Sequence, residues 1–193
     1  AAIMLPLLLI QHAVGVWAFR KTWDRSSLVV LLPGAVIGVV LGYLLAARVS
    51  EDVVLAVLGA ISIVFACYRL WLHARGTQAI AETAKGAPTA VGVLLGVGSG
   101  FTSQIAHSGQ PPFQIWVMPK RLPRDIFVGT SAIAFAAMNW MKLPAYAALG
   151  QLSPANLLAT AMLMPVALAS TVAGVILVRK VDPARFYTLV YLL

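Results

Sequence analysis

The chain has 193 residues, of which 61% are hydrophobic and 10% charged, with 14 Lys and Arg against 6 Asp and Glu, a formal net charge of +8. Soluble domains carry about 25% charged residues, so this chain cannot cover a water-facing surface, and its mean hydropathy of +0.90 agrees. The positive charge sits in short loops between apolar blocks, the pattern of loops facing anionic lipid, so nucleic acid is not an expected partner.

The apolar blocks have the length a bilayer asks of a helix, about 20 residues. Period-2 alternation is absent, which argues against a membrane barrel, and backbone inside lipid must satisfy itself through helices. In chain order, block 1–19 ends before Arg20, Lys21 and Arg25, and block 27–47 ends before Arg48, Glu51 and Asp52. Block 53–72 runs into a polar connection, His73 to Gly86. Block 87–118 is Gly-rich and interrupted by Pro111-Pro112. Block 126–149 ends at Gly150, block 154–178 before Arg179-Lys180, and a last helix starts at 184. The chain opens inside an apolar run with no basic segment before it, so this is not a signal peptide. Cys67, the one cysteine, lies in an apolar block and reads as a small hydrophobe; an internal disulfide or Cys-rich metal site is excluded.

Loop charge sets the topology. Loops 20–25, 69–85, 120–125 and 179–185 each carry net +2 and belong inside; 48–52 (net −1) and 150–154 (uncharged) belong outside. Segments 69–85 and 120–125 then share a side, so the block between them crosses an even number of times. It most simply enters and returns as two half-helices meeting near Gly109-Gln110-Pro111-Pro112, where proline removes backbone donors. The alternative is one full crossing, since 87–106 alone is long enough to span.

An internal repeat appears 132 residues apart. Residues 31–49 align with 163–181, sharing Leu31/Leu163, Pro33/Pro165, Ala35/Ala167, Val40/Val172, Gly42/Gly174, Leu45/Leu177 and Val49/Val181, with Arg48/Lys180 keeping the charge. The topology inverts one copy relative to the other, one of the duplications found in secondary transporters. The expected fold is therefore an all-α polytopic helical bundle of two inverted repeats, each with a broken or re-entrant helix. The domains are 1–72 as a first repeat, 73–86 as a cytoplasmic linker and 87–193 as a second repeat. By the same offset, the partner of 87–119 would fall before residue 1 and the last helix would run past Leu193, so the chain reads as a fragment.

Several residues are candidates for chemistry. Lys142 lies deep in block 126–149, where an ionisable side chain is costly and usually faces a cavity; the competing reading is snorkelling toward Gly150, about 12 Å of helix away. Asn139, one turn earlier, shares its face and could donate to an oxyanion. At the turn Ser108-Gly109-Gln110-Pro111, the second half-helix would start with free N–H groups that attract anions; a plain packed kink is the alternative. Thr102, Ser103, Gln104 and His107 precede it, with His107 and Gln104 the candidates for coupling and a histidine that merely satisfies a carbonyl as the counter-reading. Thr130 and Ser131, after Gly129, could bind substrate or serve close helix packing. Gln11 and His12 interrupt the first block and could face the site. Gly34, Gly38 and Gly42 form GxxxGxxxG and read as packing. Trp71, Trp116 and Trp140 read as interface or packing aromatics. No metal-ligand spacing, nucleotide loop or triad occurs, and no acidic residue lies within a spanning block, so enzyme chemistry has little to work with and no cofactor or metal is expected.

Residues 92–152 resemble the second-half signature of the TauE/SafE family of sulfite and organosulfonate exporters. The resemblance rests on Gly96, Gly98 and Gly100; on Gly109-Gln110-Pro111-Pro112; on Gly129-Thr130-Ser131; and on Asn139 and Lys142 followed by Tyr146 and Gly150. The stretch 6–24 is similar to the family's helix before its basic loop. Gln110 departs from the pattern, where the family commonly has a second Gly, and adds an amide at the turn. The resemblance implies a multi-pass protein of a bacterial-type inner membrane that is not an enzyme. Its partners would be a small sulfur-containing anion (sulfite, a sulfonate or a sulfoacetate-like species) and the lipid bilayer, with a homodimer allowed. The implied activity is secondary transport by alternating access around a midplane site, with a passive anion channel as the alternative.

Overall fold

The computed structural model describes residues 3–46, Ser50, scattered positions between 52 and 70, residues 88–182, and Phe186 and Val190. Among the described residues the chain is helical, with no strand. The elements are α1 (Met4–Phe19), α2 (Arg25–Ala46), α3 (Thr89–Ala106), α4 (Gln110–Val117) with a 3-10 turn at Met118–Lys120, α5 (Arg124–Ala148) and α6 (Pro154–Lys180). Four helices, within 25–45, 89–106, 124–148 and 154–180, are long and apolar enough to cross a membrane, and α1 is a shorter apolar helix. Positions described between 52 and 70 are helical, as expected of that block, and so are Phe186 and Val190; the linker 73–86 lies outside the described residues. The protein is an all-α membrane protein.

The chain forms two compact units, residues 1–25 with 122–193, and residues 26–121. Each mixes segments from both halves of the sequence. In the second unit, α2 and α3 run parallel along a glycine seam. A Cβ at Gly34 would lie 2.1 Å from the Val93 carbonyl oxygen, and one at Gly38 2.0 Å from that of Val97. From the other side, a Cβ at Gly96 would lie 2.2 Å from the Leu31 oxygen, and one at Gly100 2.2 Å from that of Ala35. The 34/38/42 glycines are thus packing residues. Their partner is a second GxxxGxxxG, 92/96/100, and the absent side chains let the two backbones touch.

The block 87–118 breaks at His107–Gly109. Helix α3 ends on His107 as an αL cap (φ 56), and α4 starts at Gln110 with both prolines in its first turn, where a missing N–H costs no helical bond. The chain then folds back along α3: Pro112 reaches Gly98 and Trp116 packs on Gly92. Lys120 Nζ donates to Ser27 Oγ at 2.8 Å, beside the start of α2, and sits 4.6 Å from the Trp116 ring centre. The segment therefore returns to the end at which it began, as loop charge requires. It is asymmetric, with an outgoing arm of 18 residues, about 27 Å, and a returning helix of 8, about 12 Å.

In the first unit, α1 runs parallel to α6 and antiparallel to α5. Thr160 Oγ1 donates to the Ile3 carbonyl (3.3 Å), Gln11 Nε2 to that of Ala167 (3.3 Å) and Arg179 Nη2 to that of Ala18 (3.0 Å). Against α5, Gly15 meets Ala132 and Phe19 meets Gly129. Arg124 pairs with Asp125 at 2.9 Å and donates to the Val181 carbonyl. Arg179 thus meets the end of α1, and Arg124 the end of α6, as expected of loops sharing the inside face.

Candidate functional site

The candidate residues fall into one group in each compact unit, with some outlying members.

In the first unit the group lies on the α1–α5 seam. Positions 138, 139, 142 and 146 recur at helical spacing on the α5 face turned inward, and all four residues are buried. Lys142 is 0% exposed and Asn139 3%. Lys142 is thus enclosed by protein along the length of its side chain. From α1, His12 Nδ1 lies 2.6 Å from the Leu8 carbonyl oxygen and 3.2 Å from the Asn139 amide, with the Phe135 ring centre 6.1 Å away. Lys142 is within electrostatic reach of His12. His12 and Asn139 meet across the α1–α5 seam, and Lys142 lies one turn further along α5. No Asp or Glu occurs between residues 126 and 181 or between 3 and 23, so the helices around this group bring no carboxylate to its depth.

Other candidates on this unit are engaged elsewhere. Gln11 ties α1 to the α6 backbone. Thr130 Oγ1 donates to the Ile126 carbonyl at 2.6 Å and accepts the Asp24 N–H at 2.8 Å. Ser131 Oγ donates to the Phe127 carbonyl of its own helix at 2.9 Å. Thr130 lies nine residues before Asn139, about 13 Å along the helix.

In the second unit the group is the hairpin tip. The His107 N–H donates to the Ser103 carbonyl (3.1 Å), the bond of an αL-type helix end, and the Ser108 N–H donates to that of Thr102 (3.2 Å). Gly109 is buried. Its carbonyl accepts the Ser99 hydroxyl at 2.6 Å, and a Cβ there would lie 2.7 Å from the Ser99 carbonyl oxygen. Ser99 carried no sequence signal beyond its place in the Gly-rich run, yet it fixes the turn. Pro111 and Pro112 have no N–H, so the start of α4 keeps the free donors of Gly109 and Gln110 alone, half of an ordinary helix terminus. Gln104 is 4% exposed and lies against Gly42, where a Cβ would be 2.9 Å from the Gln104 Cβ. The atoms Gln104 Oε1 and His107 Nε2 are buried without a hydrogen bond, although both residues make other contacts.

Of the tryptophans, Trp116 is buried and Trp140 is 62% exposed on a helix that crosses lipid; Trp71 lies outside the described residues. Among the described residues no cluster of His, Cys, Asp or Glu could hold a metal ion.

The family model described as sulfite exporter TauE/SafE matches residues 1–193. The chain therefore belongs to the sulfite exporter TauE/SafE family, a family of membrane transporters. No curated protein and no solved structure matches it.

Proposed function

We propose that this member of the TauE/SafE family is a secondary transporter of a small sulfur-containing anion, and that Lys142 and Asn139 on α5 contact that anion, with His12 on α1 set against Asn139. One observation carries the reading. A fully buried lysine stands one turn from a buried carboxamide, on helices with no acidic residue at that depth. A lysine enclosed within a spanning helix is costly, and ionisable residues so placed face substrate pathways rather than lipid. Sulfite and sulfonates present tetrahedral or pyramidal oxygens that a lysine and an amide N–H can share.

The hairpin tip of the other compact unit is a separate candidate for anion contact. Gly109 and Gln110 keep their N–H groups at the start of α4, and the helix dipole there favours negative charge. Two prolines halve the donors there, so the tip is the weaker of the two anion candidates and Lys142 the stronger. Gln104 and His107 remain candidates for coupling. Alternating access is the mechanism we attach to the repeat expected of 31–49 and 163–181, whose prolines, Pro33 and Pro165, each lie inside a helix.

Purified protein in liposomes loaded with sulfite, taurine or sulfoacetate is expected to move at least one of them. Unlabelled anion on the opposite side is expected to accelerate that flux. Flux without such acceleration would mean a channel, and absence of flux for every small sulfur anion would overturn the reading.

A further inference from the structure

The contact between His12 and Asn139 carries more information than proximity. His12 Nδ1 is 2.6 Å from the Leu8 carbonyl oxygen, one turn back on α1. A carbonyl oxygen only accepts, so at this distance Nδ1 must carry the proton and donate it; an unprotonated Nδ1 would set two lone pairs against each other. That fixes the tautomer when His12 is neutral, with the proton on Nδ1 and the lone pair on Nε2.

The consequence falls on Asn139. Its amide approaches the same Nδ1 at 3.2 Å. The oxygen and nitrogen of a carboxamide are told apart by their hydrogen-bond partners, not by shape. A protonated Nδ1 cannot accept from an NH2 group. The amide atom facing the ring must therefore be Oδ1, which takes the second branch of a shared Nδ1–H bond. The Asn139 NH2 then points the other way. Asn139 is buried, at 3% exposure. Its two N–H donors are then carried away from His12, one turn along α5 from Lys142.

We infer that His12 is a positioning residue: its Nδ1–H, held by the Leu8 carbonyl, turns the Asn139 carboxamide so that its NH2 is presented as an anion donor beside Lys142. The inference rests on the anion-site reading of Asn139 and Lys142, and adds to it which atom of Asn139 meets the substrate and what holds it there. The groups facing His12 from the helices packed on α1 are Asn139, Phe135 and Lys142 from α5; α6 brings no titratable side chain between residues 154 and 178. Protonation of Nε2 would leave Nδ1–H in place, so the amide keeps its direction whether His12 is neutral or charged.

The experiment has two readouts on the same purified protein in liposomes. The first is nitrogen NMR of histidine-labelled protein. The chain has three histidines, and His12→Gln assigns the signal. The expected signature is a protonated Nδ1 and, at high pH, an unprotonated Nε2; the opposite tautomer overturns the inference. The second is sulfite transport in His12→Ala, Asn139→Leu and the double variant. Each single change is expected to raise KM about tenfold, the loss of one charge-assisted hydrogen bond, with little change in maximal rate. The double variant should be no worse than either single one, because an amide that is not aimed contributes nothing. Additive losses would overturn the positioning role even with the expected tautomer. If wild-type protein moves no sulfur anion, the functional reading fails and the anion role of Asn139 falls with it. The tautomer measurement still judges the amide's direction, so the two failures are distinguishable.

Discussion

The Thr130 hydroxyl accepts the backbone N–H of Asp24 at 2.8 Å while donating its own proton to the Ile126 carbonyl at 2.6 Å. It thereby clasps the loop after α1 onto the first turns of α5, and its side chain is 0% exposed. Thr130→Val keeps the shape and removes both bonds, leaving a loop N–H without its partner. The expected loss is about 1–3 kcal/mol, seen as a lowered unfolding midpoint in detergent, whereas Thr130→Ser should hold most of it. If Thr130 instead served the substrate directly, Thr130→Val would reduce transport with the midpoint unchanged.

The neighbouring glycine makes the same clasp possible. A Cβ at Gly129 would lie 1.9 Å from the Thr22 carbonyl oxygen. Backbone cannot give way as a flexible side chain can, so Gly129→Ala must push the loop off the helix. The loss is expected to exceed that of Thr130→Val and to appear as poor yield of folded protein. Gly129→Ala matching wild type in both yield and midpoint would show that the loop is not held there.

The glycine seam of α2 and α3 gives a prediction with an internal control. Gly38→Ala places a methyl 2.0 Å from the Val97 carbonyl oxygen, and Gly96→Ala one 2.2 Å from that of Leu31. Each should separate the helices and destabilise by about 1–3 kcal/mol or more. Gly174 on α6 has nothing within 4 Å of its Cβ position. There Gly174→Ala should be neutral or stabilising by up to about 1 kcal/mol, the helix-propensity difference. Unfolding midpoints of the three variants check the contrast, and equal effects at Gly38 and Gly174 would refute it.

The contrast also separates what the sequence could disclose from what it could not. Helix extents were legible: blocks 27–47 and 126–149 correspond to helices over 25–46 and 124–148, because charged residues mark where burial in lipid stops. The broken helix was legible in kind, since glycine and proline together interrupt a ladder. Its register was not, because proline is tolerated in a first turn and the interruption moved back to His107, a cap with no sequence signal of its own. The pairing of glycines 34, 38 and 42 with 92, 96 and 100 needed two helices 50 or more residues apart to be seen side by side. The meeting of His12 and Asn139 was legible only as two candidates, because which partners a side chain satisfies depends on the neighbour it is packed against. Here the Leu8 carbonyl decides it.

Lys142 yields the prediction that divides function from structure most sharply. Its side chain is 0% exposed. Enclosing an ammonium costs desolvation energy that its contacts only partly return, and exchanging a buried ionic group for an apolar one of similar size is often neutral or stabilising. Lys142→Met keeps the length and loses the charge. Its unfolding midpoint should equal or exceed that of wild type, while transport of sulfur anions should fall by at least about tenfold, the loss of one ion-paired contact of about 1.4 kcal/mol or more. Lys142→Arg retains charge but brings a planar fork where a compact ammonium stood, so partial transport with a changed preference among sulfite, taurine and sulfoacetate is expected. A structural lysine would show the reverse pattern, with Lys142→Met unfolding early and the surviving folded protein transporting normally. Measuring the midpoint and the anion flux on one preparation therefore assigns the residue, because a structural role and a substrate-binding role move the two quantities in opposite directions.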